Sequence, residues 1–247
     1  MPALWNIASQ AGLTVGVVNW LMTQPPERVR GVMISDHAAP GALKGRLNLA
    51  AGVVGRAPEK IENRGSESAL AYPAAWAERF RALESAAEPL TGVPNPFADR
   101  SGPIWERLAL SYERDTLVAR AALAIEAETR PELLLVYLNG VDPVSHLFWA
   151  SLEPLETVPP AFRTGEAERL RQRQALHAYY RYADALVGRL VARYGPNDLV
   201  LVVSDHGFEL ARPGDVTPGV HFTEAAIDGI AFARGRGVAP GSRIEKM

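Results

Sequence analysis

The chain has 247 residues, enough for one large domain or two small ones around a real core. Its 47% apolar content excludes disorder, collagen and coiled coil, and 26 basic against 28 acidic side chains leave a net charge of −2, with no electrostatic footprint for nucleic acid or an acidic membrane surface. The absence of cysteine excludes a disulfide scaffold, a thiolate metal site and a cysteine nucleophile, and leaves the compartment open.

Apolar residues in Ala3–Ala11 predict a short helix ended near Gly12, where glycine accepts a left-handed cap. The β-branched run Val15–Asn19 predicts a strand, Gln24-Pro25-Pro26-Glu27 breaks the chain, and Gly31–Ser35 predicts a second short strand. Residues 38–72 show no period, and an irregular cap or excursion at about 38–100 is expected within a single domain, 1–247. Inside it, Ala74–Ala87 is helical in composition and Gly92–Gly102 reads as a loop. From Ile104 to about Glu128, positions Trp105, Leu108, Tyr112, Val118, Ala122 and Ile125 form a helical stripe. No apolar run approaches the roughly 18 residues of a membrane span.

After Pro131, Leu133–Leu138 has the continuous apolar character of a strand buried on both faces. A long helix follows from Glu166 to about Tyr194, with a stripe through Leu176, Tyr179, Tyr180, Ala183 and Leu186, and Gly195-Pro196 stops it. Leu199–Val203 reads as a second buried strand and Gly229–Ala233 as a third. Strand, long helix, strand describes a βαβ unit, so the expected class is α/β, a mostly parallel sheet flanked by helices with the two strong strands adjacent.

In parallel sheets, ligand sites gather at the carboxyl ends of strands. The first strong strand ends Leu138-Asn139-Gly140-Val141-Asp142-Pro143-Val144-Ser145-His146, the second Val203-Ser204-Asp205-His206-Gly207-Phe208. A helical turn started by Pro143 places Asp142 and His146 on one face at i and i+4. His221 follows across a loop containing proline and glycine. Carboxylates and imidazoles are the ligands that hold zinc and similar divalent ions when cysteine is absent. Five such donors exceed one tetrahedral shell and point to two divalent ions, zinc or another such as manganese. Taken singly, an aspartate after a strand caps a helix or turn, and a histidine is a satisfied polar group. The metal reading is favoured because three of the five histidines fall in these segments. His177, on the long helix, reads as structural or exposed. Ser35-Asp36-His37 repeats the Ser204-Asp205-His206 triplet and by local pattern is an equal metal candidate, but it lacks the following Gly-Phe and a partner motif nearby, which favours a surface turn. Gly235-Arg236-Gly237 lacks the context of a dinucleotide loop, and Ser204, between Val203 and Asp205, is no nucleophile elbow.

The segments Tyr137–His146, Val202–Phe208 and Gly219–His221, in that order, resemble the type I phosphodiesterase/nucleotide pyrophosphatase family of the alkaline phosphatase superfamily. Ala3–Ala8, Gly16–Trp20 and Pro25-Pro26 resemble the segment that follows the family's nucleophile, and the likeness is weakest across 38–100. The resemblance implies an alkaline-phosphatase-like fold, with Asp142, His146 and His221 on one metal ion and Asp205 and His206 on part of the other. For Asp228-Gly229 it implies a structural role. It further implies metal-dependent hydrolysis of phosphodiester or nucleotide pyrophosphate bonds in a small phosphate ester. Another superfamily reaction (phosphomonoester or sulfate ester hydrolysis, phosphomutase transfer) and a non-catalytic metal-binding remnant are the alternatives. The family places a strand-end aspartate and a Thr or Ser nucleophile ahead of the segment where this chain starts. Neither has a counterpart here, and Thr14 and Thr23 stand in the wrong context. The chain is therefore expected to be a partial domain, truncated at both ends, that binds one ion and turns over phosphodiesters poorly on its own.

Overall fold

The β-branched run after the first helix forms a central strand. In the computed structural model, β1 (Val15–Val18) is buried at all four positions, with β2 (Gly31–Ile34) and β4 (Leu133–Val136) parallel to it on either side. Val15 stands opposite Gly31 and Leu133, and Val18 opposite Ile34 and Val136. The two-residue strand β3 (Ala71–Tyr72) adds an antiparallel edge, giving the order β3-β2-β1-β4. The structure describes residues 1–39, 70–86, 88–98 and 101–243, which divide into two compact units, Met1–Pro143 and Val144–Met247. Of the excursion expected at 38–100, residues 40–69, 87 and 99–100 lie outside the described residues. The rest includes β3 and the helix α2 (Ala75–Glu84).

The sheet of the first unit is covered on both faces. Val15, Val17 and Met33 pack against Trp5 and Ala8 of α1 (Leu4–Gln10). The opposite face receives α3 (Pro103–Thr129), which opens on proline, where a missing N–H leaves no bond unmade. Gly16 permits its close approach: a Cβ there would lie 2.8 Å from Leu134 Cδ1 and 3.0 Å from Ile125 Cγ2. The class is thus mixed α/β, with a mostly parallel central sheet flanked by helices, as expected.

The ends of the parallel strands are tied together by polar side chains. Asn19 takes a left-handed φ of 59°. Its N–H donates to Ile34 O at 2.9 Å and its Nδ2 to Tyr137 O at 2.8 Å. Asn19→Ala leaves that carbonyl without its side-chain donor and strains the backbone, so a loss of about 2 kcal/mol in urea unfolding is expected. Asn19→Gly relieves the strain and should recover part of that loss. Ser35-Asp36-His37 is not a surface turn, because Ser35 and Asp36 are each 1% exposed. The Asp36 carboxylate accepts the Met22 N–H at 3.1 Å and its own N–H donates to Thr23 Oγ1 at 3.0 Å, so the triplet ties down the connection after β1.

In the second unit, α5 (Glu166–Val191) buries Leu176, Tyr179, Tyr182 and Leu186. Tyr182 takes the place expected for Tyr180, which is exposed. Steps of three and four from Tyr179 reach 182 and 186, whereas 180 is turned about 100° away. β5 (Leu199–Val203) pairs antiparallel with β8 (Ala231–Gly235), and β6 (Glu209–Leu210) with β7 (Gly219–Val220). Two expectations are corrected. Among the described residues β4 pairs with β1 and β5 with β8, so the expected pairing of β4 with β5 in a βαβ unit is not formed. Leu199, Leu201 and Val203 are also 57%, 61% and 62% exposed, because a two-stranded pair leaves one face bare where a parallel sheet has helices on both. No helix among the described residues is long and apolar enough to cross a membrane.

Candidate metal centre

From β4 the chain passes through Tyr137–Gly140 into α4 (Val141–Phe148). Pro143 falls in its first turn, where helices tolerate proline, and the helix sets Asp142 and His146 one turn apart on the same face. Both side chains are carried by one continuous helix. Val144 and Ser145 on the same helix are fully buried, and Ser145 Oγ lies 3.1 Å from the Tyr180 hydroxyl of α5. The exposed Tyr180 ring therefore still has a hold on α4.

Strand β7 passes α4 at contact distance. A Cβ at Gly219 would stand 2.5 Å from Ser145 O and 2.7 Å from Trp149 Cβ, so only glycine fits without displacement. This close pass brings the Gly219 carbonyl to 2.8 Å from His146 Nδ1. A carbonyl oxygen only accepts, so Nδ1 carries the proton and Nε2 keeps the lone pair that a metal ion needs. The Thr217 hydroxyl donates to the same carbonyl at 3.0 Å.

His221 directly follows β7. Asp142, His146 and His221 each offer a ligand atom, and these atoms all lie within 4.8 Å of one another. Zinc ligated at about 2.0–2.2 Å sets its tetrahedral donors roughly 3.3 Å apart, within a small side-chain adjustment of this spacing. One carboxylate and two imidazoles, one of them already oriented by a backbone carbonyl, fit a divalent ion.

His206 stands beside the group. Its ring stacks on His221, with centroids 3.6 Å apart and planes within 10°. Asp205 is mostly exposed, with Oδ1 3.8 Å from His206 Nε2. Of the five residues expected as ligands, three converge, His206 joins them through its stack on His221, and Asp205 lies next to His206 without entering the group. Gly229 packs on the Ser204–Asp205 backbone, where a Cβ would fall 2.0 Å from Ser204 O, and the Ile230 N–H donates to Ser204 Oγ at 2.9 Å. His177 is exposed on α5.

Phe208 is the residue whose weight the sequence conceals. Its ring meets His146, His206 and His221 edge to face, at centroid distances of 5.1, 5.4 and 5.5 Å, and lies 5.5 Å from Trp149. The Gly-Phe that follows Asp205-His206 was legible as a motif, but its role as the apolar wall shared by three imidazoles appears only once β6, β7 and α4 are in place.

A sequence profile described as Type I phosphodiesterase / nucleotide pyrophosphatase matches residues 2–226, a span that includes all five of these acids and histidines. No curated protein and no solved structure matches the chain.

Proposed function

Because the chain belongs to the type I phosphodiesterase / nucleotide pyrophosphatase family, whose members are typically metal-dependent, we propose that Asp142, His146 and His221 hold one divalent ion of a phosphoric ester hydrolase. The observation that carries this reading is the convergence of three donor atoms within 4.8 Å from segments far apart in sequence. The reaction is hydrolysis of a phosphodiester or nucleotide pyrophosphate bond in a small substrate. A profile match that runs across the boundary between the two units supports taking 1–247 as one alkaline-phosphatase-like domain.

Each residue has a separable part. Asp142 brings the negative charge that offsets the cation. The Gly219 carbonyl holds the His146 ring so that Nε2 is presented in one orientation. Phe208 keeps the imidazoles together and walls one side from water. When bound, the ion supplies Lewis acidity toward a phosphate oxygen, which matters because phosphoryl transfer is governed mainly by charge compensation. Asp205 and His206 are assigned to a second ion on the resemblance of Val202–Phe208 alone. Zinc suits the donor set best, and manganese is compatible with it.

The test is calorimetric titration of the chain with Zn2+ and with Mn2+, alongside hydrolysis of bis(p-nitrophenyl) phosphate with and without a chelator. One ion per chain with slow turnover is the expected result. No heat of binding would remove the site, and full turnover would assign the nucleophile to a hydroxyl of this chain.

A further inference from the structure

The turn that leads into α4 is held from outside its own sequence. The two residues just before Val141 are Asn139 and Gly140, and Asp115 of α3 takes both of their N–H groups. Its Oδ1 accepts the Asn139 N–H at 3.2 Å and its Oδ2 the Gly140 N–H at 3.0 Å. Asp115 is fully buried, on a helix face that carries Ser111 one turn away and Leu108, Val118, Ala119 and Ala122, all four at 0% exposure. Burying a carboxylate among such neighbours costs several kcal/mol unless donors and a favourable dipole offset it, and two consecutive N–H groups at a helix N-terminus supply both. An apolar residue in α3 would fill the same space without that cost.

We propose that Asp115 is a positioning residue for the metal centre, setting the start and direction of α4 and through it the places of Asp142 and His146. The proposal rests on the reading of Asp142, His146 and His221 as ligands of one ion. The helix rises about 1.5 Å per residue, so His146 stands roughly 6 Å along the axis from Asp142, and a tilt at the first turn moves the two donors by different amounts. The three ligand atoms then lose their common spacing even though every ligand is still present.

Co2+ titration of the full chain tests this, because the visible bands of bound Co2+ report ligand geometry and the titration reports Kd. Asp115→Ala is expected to weaken Co2+ binding by about tenfold or more and to shift the bands. Asp115→Asn keeps one acceptor oxygen and should fall between Asp115→Ala and the unaltered chain. Thermal unfolding of the metal-free variants identifies those that fold, and the near-isosteric Asp115→Asn decides the matter if Asp115→Ala does not fold. Faster exchange of the Asn139 and Gly140 amide protons in Asp115→Asn is expected from the lost cap itself. A folded variant with unaltered Kd and bands overturns the positioning role. Failure of the unaltered chain to bind Co2+, with amide exchange still changed by Asp115→Asn, overturns the ligand reading and with it the link from cap to metal.

Discussion

His146→Ala is expected to weaken divalent-ion binding by about 100-fold or more, with only a modest fall in the unfolding temperature of the metal-free chain. Two contacts orient His146. Its ring is fixed by the Gly219 carbonyl at 2.8 Å and walled by Phe208 at 5.1 Å, so its Nε2 needs little ordering on binding. Changes that only disturb the partners of a metal ligand already lower affinity 10- to 100-fold, and removal of the ligand itself belongs at or beyond the upper end. Two comparisons make the result specific. His206→Ala removes a ring stacked on His221 at 3.6 Å but no member of the three-residue group, and should reduce affinity for the first ion less. His177→Ala changes an exposed helix position and should leave binding unchanged. Equal effects from all three, measured by Co2+ or Zn2+ titration, would show that binding tracks general histidine content and not this group.

Much of this arrangement is legible in the sequence. Val15–Asn19 reads as a strand because of its β-branched run, and β1 occupies Val15–Val18 within it. Asp142 and His146 were visible as a pair because proline early in a helix fixes its start, and i, i+4 spacing does the rest. His221 stands out as a histidine following Asp205 across a loop with proline and glycine, and the order of the motifs ties it to Asp142 and His146. What stayed hidden depends on neighbours distant in sequence. Leu199–Val203 reads as buried from composition, but burial is a property of what lies over a strand, and β8 supplies only an edge. Asp115 carries no signal in the sequence, because its two N–H partners come from another segment. Nothing local in the sequence marks Gly219 as a close pass against α4.

That close pass sets the second large effect. Gly219→Ala is expected to lower stability by about 3 kcal/mol and, in the fraction that folds, to weaken ion binding at least about tenfold. The added Cβ would fall 2.5 Å from Ser145 O and 2.7 Å from Trp149 Cβ, and neither is the free end of a flexible side chain. Strand and helix must separate, because the obstructing atoms are main chain and the root of a side chain. Separation lengthens the 2.8 Å contact from His146 Nδ1 to the Gly219 carbonyl, and the ring loses the partner that kept its proton on Nδ1. The same movement displaces His221, which follows β7 immediately, away from Asp142 and His146, which α4 carries together. Thr217→Val separates the steric cause from the polar one. It removes the hydroxyl that donates to the Gly219 carbonyl at 3.0 Å while leaving the strand its room, and it should cost about 1 kcal/mol with a smaller loss of affinity. Urea unfolding and Co2+ titration of the two variants give the comparison. If Gly219→Ala were destabilised yet bound Co2+ with unaltered affinity, the carbonyl contact would be packing alone and His146 would orient itself without it.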